Sequence, residues 1–203
     1  MTKAEKTRSF IIQTSAPIFN TKGYSGTSLN DITEATGLTK GAIYGNFEDK
    51  DAIALAVYKH NVSAVKRGLA EVVDAKGKAI DKLMASVNFY RNNWEKIFNR
   101  GGCAILNTSV EADDAMPFMK SAVQITIKAW AESIAEMIEL GKKQNEIKKD
   151  INAKDYAYLF ITLIEGGIMM AKVTDEPSHL LNALSKIEDI ITKELKEFNF
   201  YIK

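Results

Sequence analysis

The sequence predicts an all-α fold of about nine helices. Apolar residues recur at spacings of three and four along most of the 203 residues, and only three prolines occur among them. Hydrophobic residues make up 46% of the chain, which is enough for a buried core in one or two domains.

The first helix is predicted to begin after Thr2 and to end near Gly23. Thr2 and Glu5 have the spacing of a capping box, and a glycine commonly ends a helix in the left-handed conformation. Pro17 lies inside this helix and removes a backbone hydrogen bond to Gln13. We therefore expect a kink at Pro17.

Residues 27–50 predict two short helices that are joined by a tight turn. Ser28 suits the start of the first, and Gly37 suits its left-handed end. Thr39 then caps a helix over residues 40–46, about two turns, which is too short to be stable without tertiary contacts.

The outward face of this second short helix predicts a helix that enters a DNA major groove. The small and polar residues around its buried anchors are Thr39, Lys40, Gly41, Ala42, Tyr44, Gly45 and Asn46. Lys40 and Lys50 can carry charge to phosphates, and the helix start at Thr39 directs N–H groups toward an anion. Net charge adds no independent support, because residues 1–60 carry seven basic and six acidic side chains.

Six further helices are predicted by the apolar pattern. They cover approximately residues 49–73, 80–98, 103–111, 117–141, 152–173 and 180–198. The eighth helix has almost no polar face, so we expect it to be buried on several sides. The ninth carries a regular stripe of Leu180, Leu184, Ile187, Ile191, Leu195 and Phe198.

Over residues 10–53 the chain resembles the tetracycline-repressor (TetR) family of bacterial transcriptional regulators. The signature is KGYSGTSLNDITEATGLTKGAIYGNFEDKDAI, in which KGY, the TS cap, GLTKGAIY, Phe and Lys follow one another at the family spacing. The resemblance implies that Thr27, Thr39, Lys40, Gly41, Tyr44, Asn46 and Lys50 lie at the DNA. Gly45 and Asn46 replace the aromatic residue and histidine of many members, a departure that concerns base preference rather than docking.

The resemblance also implies a homodimer with two domains in each protomer. Residues 1–48 would form a helix-turn-helix DNA-binding domain, and residues 49–203 a helical domain for ligand binding and dimerisation through the last two helices. A two-fold dimer suits DNA, because two recognition helices must reach half-sites about 34–36 Å apart. The alternative for the last two helices is an intramolecular core.

For a small inducer, the resemblance implies a pocket in the helical remainder. Its candidate residues are Tyr90, Trp94, Phe98, Cys103, Asn107, Phe118, Met119, Trp130 and Glu165. Aromatic and methionine stripes at helical spacing are more often plain core than the lining of a pocket. Glu165 lies between apolar residues, so its carboxylate must find a partner, take up a proton or bond across a dimer interface.

Two other features have a structural and a functional interpretation. Glu111, Asp113 and Asp114 form an acidic cluster, for which solvation at a helix end is favoured over a metal site because no histidine is near in sequence. Cys103 is either a packed core residue or a redox sensor.

We therefore expect a ligand-responsive DNA-binding repressor without a cofactor. An enzyme is not supported, because the sequence has no phosphate loop, no metal-spaced His/Cys set and no evident nucleophile–base pair. The alternative is a DNA-binding protein of the same fold that responds to a protein partner or only organises DNA. The lack of a signal-peptide pattern and a single cysteine predict a cytoplasmic protein.

Overall fold

The chain folds into α-helices, as the sequence predicts. A computed structural model describes residues 1–197, apart from the side chains of Asp114 and Ala115. These residues form nine α-helices and a final π-helical turn, and their extended pairing is limited to an isolated bridge between Ile147 and Lys196. Phe198, the last residue of the predicted apolar stripe, lies outside the described residues.

The helices fall close to their predicted positions. They are α1 (Lys3–Gly26), α2 (Leu29–Thr36), α3 (Lys40–Tyr44), α4 (Lys50–Asp74), α5 (Ala79–Asn99), α6 (Ala104–Ala115), α7 (Pro117–Lys143), α8 (Ala153–Thr174) and α9 (Ser178–Asp189), followed by the π-helical turn Ile190–Leu195. The recognition-helix candidate α3 is shorter than predicted, and α6 extends beyond its predicted end.

The interruption of α1 lies at Gly23 and not at Pro17. The predicted capping box is present, since the side chains of Thr2 and Glu5 each accept from the other's backbone N–H. The predicted left-handed stop at Gly23 is present, since Gly23 leaves helical geometry with φ 74° and ψ 176°, although the helix resumes and ends at Gly26. A bend of the helix axis at Pro17 stays a prediction. Proline's restricted φ is itself compatible with a helix, whereas this left-handed φ favours glycine.

Packing divides the chain into two compact units. Unit 1 contains residues 1–65 and 96–126, and unit 2 contains residues 66–95 and the chain from residue 127 onward. Each unit is therefore built from two segments of sequence. The functional boundary that we expect between residues 48 and 49 is a different division and stays a prediction.

The core of unit 1 holds the short helices in place. Ile11 of α1, Ile32 of α2, Ile43 of α3 and Ile53 of α4 are fully buried together. Phe47, which follows α3, is only 3% exposed in the same cluster. These contacts supply the tertiary support that a helix as short as α3 requires.

In unit 2, α8 packs closely on α9. A Cβ atom at Gly167 would lie 3.1 Å from the Cα of Leu180, so the glycine permits this close approach. The loop after α7 caps α5, because the side chains of Gln144 and Glu146 accept hydrogen bonds from the backbone N–H groups of Ala79 and Ile80.

The opposite face of α8 is exposed. The large apolar residues on that face are Tyr158, Leu159, Met169, Met170 and Val173, with exposed fractions between 39% and 79%. The expectation that α8 is buried on several sides is therefore wrong for one chain alone. By length and composition α8 could cross a membrane, a property that core helices of soluble proteins share.

Candidate DNA-binding and effector sites

Both short helices begin at the predicted caps. The Ser28 side chain accepts from the Asp31 N–H at 3.1 Å, and the Asp31 carboxylate accepts in return from the Ser28 N–H at 2.7 Å. Gly37 ends α2 with φ 68°, and Thr39 Oγ1 accepts from the Ala42 N–H at 3.2 Å. The local sequence thus determines where α2 and α3 start.

An ion pair joins the end of α1 to the start of α2. Lys22 Nζ lies 2.5 Å from Asp31 Oδ1. The bond from Lys22, with two further bonds from the hydroxyl and the N–H of Ser28, holds the pKa of the Asp31 carboxyl well below its usual range. The Asp31 carboxylate therefore remains charged at any physiological pH and continues to accept from the Ser28 N–H.

Most of the predicted DNA-contacting residues lie at the surface of α3 and its flanks. Thr39, Lys40, Gly41, Tyr44 and Gly45 are exposed, while Ala42, Asn46 and Lys50 are partly exposed. They lie around the buried anchor Ile43. A contact of these residues with DNA stays a prediction.

Thr27 is the exception, because its side chain is fully buried. Its Oγ1 donates to the Gly23 carbonyl at 2.6 Å. In this conformation the side chain cannot reach DNA, so its placement at the DNA needs correction. Its hydroxyl instead closes the turn between α1 and α2, which a sequence motif alone does not reveal.

Two other predicted contacts are engaged within the protein. The Nδ2 of Asn46 donates to the Ala42 carbonyl at 2.9 Å, so a base contact by Asn46 must use its Oδ1 or exchange this bond. Lys50 Nζ lies 4.2 Å from the centre of the Tyr24 ring. That cation–π contact holds Lys50 at the start of α4.

Tyr24 connects the last turn of α1 to α4. Its hydroxyl donates a hydrogen bond to Asp51 Oδ1. This bond, together with partial desolvation, raises the pKa of Tyr24 to about 12. The phenol therefore stays protonated and continues to donate. Its ring also meets Phe118 edge-on at 6.2 Å.

Arg8 is a residue of this surface that the sequence analysis missed. Its Nη1 donates to the carbonyl of Asn46, and its Cζ lies 3.9 Å from the centre of the Phe47 ring. A guanidinium at this position is favourable, because it lies beside the C-terminal end of α3, where the helix dipole is negative. Arg8 and Asn46 are 38 positions apart, so no local motif could have related them.

Unit 1 contains a small cavity between α1, α4, α6 and the start of α7. Its lining consists of Phe19, Asn20, Tyr24, Ala54, Val57, Tyr58, Asn61, Ala104, Asn107, Thr108, Glu111, Met116 and Met119. Its volume of about 30 Å³ admits one or two water molecules. Two of the predicted effector residues, Asn107 and Met119, lie in this lining.

The predicted effector residues belong to both units. Phe98, Cys103, Asn107, Phe118 and Met119 are in unit 1, and Tyr90, Trp94, Trp130 and Glu165 are in unit 2. In unit 1, the Asn107 side chain donates to the carbonyls of Asn20 and Gly101 at 3.0 and 2.9 Å. In unit 2, Tyr90 stacks on Trp130 with ring centres 6.2 Å apart. A common site for all nine residues stays a prediction.

The acidic cluster on α6 has separate structural partners. The Glu111 carboxylate accepts from the backbone N–H groups of Tyr24 and Ser25, and Asp113 pairs with Lys120 at 3.0 Å. The side chain of Asp114 lies outside the described part of the chain. Solvation at a helix end is therefore the wrong interpretation for Glu111.

Comparisons with known proteins agree with this arrangement. Residues 11–57 match the domain family described as bacterial regulatory proteins, tetR family, and residues 79–187 match the tetracyclin repressor-like C-terminal domain. Along the sequence, these matches include both α2 and α3 in the first case and α5 through most of α9 in the second.

Solved structures and a curated relative extend the likeness over nearly the whole chain. A TetR-family transcriptional regulator from Cytophaga hutchinsonii is 37% identical with a TM-score of 0.89, covering 94% of this chain and 96% of that one. A TetR transcriptional regulator from Chloroflexus aurantiacus is 32% identical with a TM-score of 0.90, covering 98% and 100%. The transcriptional repressor DhaR of a Mycobacterium species is 25% identical over 167 residues, 82% of each chain. With its helix-turn-helix and these matches, the chain belongs to the TetR family of DNA-binding transcriptional regulators.

Proposed function

We propose that this regulator is a repressor that a small-molecule inducer releases from a palindromic operator. The observation that carries this proposal is α3, a capped helix whose exposed residues are small or polar while Ile43 anchors it in the core. A helix this short reads only a few base pairs, so useful specificity needs a second copy.

The exposed face of α8 supports a homodimer as the DNA-binding form. Met169 and Val173 are 47% and 79% exposed, and the space beside Gly166 is open. An exposed row of apolar side chains, with no side chain at Gly166, suits close packing of a second helix. In the proposed dimer, α8 and α9 of each protomer pack on their two-fold mates.

An inducer is proposed to bind within the helical remainder of the chain, at the nine residues named above. The stacked pair of Tyr90 and Trp130 offers flat apolar surface of the kind that ligand pockets use. If α4 moves on binding, the recognition helices move with it, because α4 begins six residues after α3 ends. DNA and inducer then oppose each other, with a coupling free energy of about 1–3 kcal/mol.

Selection of duplexes from random DNA tests the operator proposal. We expect the purified protein to enrich inverted repeats with half-site centres about one helical turn, or a multiple of one turn, apart. A matched duplex that carries a single half-site should bind much more weakly. Full affinity for a single half-site by a monomer would contradict the proposal.

Tryptophan emission tests the inducer proposal, because Trp94 and Trp130 are the only tryptophans of the chain. A genuine inducer should change the emission saturably and weaken binding of the selected duplex over the same concentration range. A compound that releases DNA with no change in emission and no contact to the nine residues would show that the pocket is misplaced.

A second candidate is control by a protein partner without an inducer. The small volume of the cavity in unit 1 favours it, because ligand pockets usually occupy about 300–1,000 Å³. Release of the selected duplex by a purified cellular protein, and by no small molecule, would support this candidate. Under either proposal the regulator acts in the cytoplasm, where its DNA lies.

A further inference from the structure

The side chain of Glu111 reaches from α6 to the interruption of α1. Its Oε1 accepts from the Tyr24 N–H and its Oε2 from the Ser25 N–H, both at 2.9 Å. A carboxylate that accepts two backbone bonds makes a stronger contact than a neutral acceptor would. Neither DNA binding nor the predicted effector pocket explains this arrangement.

The two N–H groups need a partner because α1 restarts there. Gly23 departs from helical geometry, and Tyr24 and Ser25 begin a new turn that ends at Gly26. The first N–H groups of a helical turn have no partner within it, and the side chain of the preceding residue often serves as the cap. Gly23 has no side chain, so Glu111 provides the cap from α6.

Gly23 and Glu111 fit together as a pair. A Cβ atom at residue 23 would lie 2.1 Å from Glu111 Oε1, which is far inside van der Waals contact. The left-handed φ of 74° also disfavours other residues at this position. A side chain at residue 23 would therefore displace the carboxylate.

The turn that Glu111 caps leads into the DNA-binding helices. Thr27 and then Ser28, the N-cap of α2, follow this turn, and Thr27 Oγ1 donates to the Gly23 carbonyl at 2.6 Å. Tyr24, in the same turn, donates to Asp51 at the start of α4. The last turn of α1 is therefore bonded to Thr27, which precedes α2, and to Asp51, which follows α3.

We propose that Glu111 is a positioning residue for DNA binding. Its carboxylate fixes the last turn of α1 against α6. The position of that last turn then sets the orientation of α2 and α3. The role is indirect, because Glu111 acts through backbone groups. It rests on the DNA binding that the family shows and is independent of the proposed inducer and dimer.

The test compares Glu111→Gln with wild type on two duplexes. One is selected by the wild-type protein from random DNA, and the other is an unrelated duplex of equal length. Glutamine keeps one acceptor oxygen but places an NH₂ group against a backbone N–H. We expect affinity for the selected duplex to fall about tenfold, the equivalent of one charge-assisted hydrogen bond. Affinity for the unrelated duplex should change by less than about twofold, because the phosphate-contacting cations are retained.

Asp113→Asn is the matched control, because Asp113 lies on the same helix and its side chain is 70% exposed in a surface ion pair. It should bind both duplexes as wild type does. Glu111→Asp keeps the charge but is one methylene shorter, so it can hold at most one of the two N–H groups. It should give an intermediate loss, and it provides the measurement if Glu111→Gln does not fold.

Hydrogen exchange tests directly whether Glu111 protects the two backbone amides, which DNA affinity does not report. In the wild-type protein, the Tyr24 and Ser25 amides should exchange slowly, and in Glu111→Gln at least one of them should exchange about tenfold faster. Equal affinity of Glu111→Gln and wild type for the selected duplex would overturn the proposal. So would an equal loss on both duplexes, which would indicate general destabilisation.

Discussion

The guanidinium of Arg8 stacks on the ring of Phe47, with Cζ 3.9 Å from the ring centre. The same side chain donates to the carbonyl of Asn46 just beyond α3. One residue near the start of α1 therefore secures the far end of α3, the predicted recognition helix. The near end is secured by the Thr39 cap.

Replacing Arg8 should loosen the end of α3. Arg8→Ala loses a cation–π contact at an exposed site and a hydrogen bond, and we expect the free energy of unfolding to fall by about 1 kcal/mol. Arg8→Lys should recover little of it, because an ammonium lacks the planar donor group that both stacks and bonds. Urea unfolding measures both variants, with Lys6→Ala, an exposed position on the same helix, as control. Full recovery by lysine would show that only charge matters.

Lys50 and Asn46 should affect DNA binding in different ways. Lys50→Ala should weaken binding to all sequences and reduce the slope of log affinity against log salt by about 1, because one phosphate contact is lost. Asn46→Ala should mainly relax base preference, at a cost of about 1–3 kcal/mol for the preferred base if the side chain leaves Ala42 to reach it.

Titrations of both variants on selected and random duplexes over a range of salt concentrations separate these effects. Lys59→Ala, an exposed lysine further along α4, is the control and should leave the salt slope unchanged. Identical changes for Lys50→Ala and Asn46→Ala on both duplexes would contradict the assigned roles.

The ion pair between α5 and α9 should make stability depend on acid pH. Arg91 forms two bonds with the Glu188 carboxylate, at 2.6 and 2.7 Å, and its guanidinium lowers the pKa of that carboxyl. Because the pKa of Glu188 is lowered in the folded state, the ion pair stabilises the protein fully at pH values above the ordinary glutamate pKa of about 4.5. This stabilisation is lost as the pH falls below that value and through the pKa of the folded state.

Wild type should therefore be more stable than Glu188→Gln at pH 7, and the difference should shrink below about pH 4.5. Thermal unfolding across this pH range measures it. Glu132→Gln removes a looser, more exposed pair with Lys128 at 3.8 Å and should have little effect. A difference that stays constant down to pH 3 would exclude the charge of Glu188 as its cause.

Charged residues on the exposed face of α8 should prevent dimer formation. Met169→Glu together with Val173→Glu would place carboxylates in the proposed dimer interface, where their desolvation costs more than the apolar contacts can offset. Sedimentation velocity should show a monomer for this double variant and a dimer for wild type. Val110→Glu, at an apolar α6 residue that is 76% exposed, is the control and should remain dimeric. A dimeric double variant would place the interface elsewhere.

The sequence by itself determined where the helices lie, including the two short helices of the helix-turn-helix. Caps such as Ser28 and Thr39, and the stop at Gly37, depend on bonds within a few residues, so local pattern is sufficient to predict them. Helical periodicity located most of the nine α-helices in residues 1–197, because an apolar residue every three or four positions marks the face that is buried. The left-handed break at Gly23 was predictable in the same way, because that backbone conformation favours glycine.

Only the tertiary structure decided which side chains meet across the fold. Arg8 reaches Asn46 from 38 positions away, and Glu111 reaches Tyr24 from 87. Burial of Thr27 likewise depends on how α1 and α2 pack. Such contacts follow from the packing of whole helices. Many apolar contacts together set how the helices lie against one another, and that arrangement determines which polar side chains meet. Caps and periodicity can be predicted from neighbouring residues, whereas contacts between residues far apart in sequence cannot.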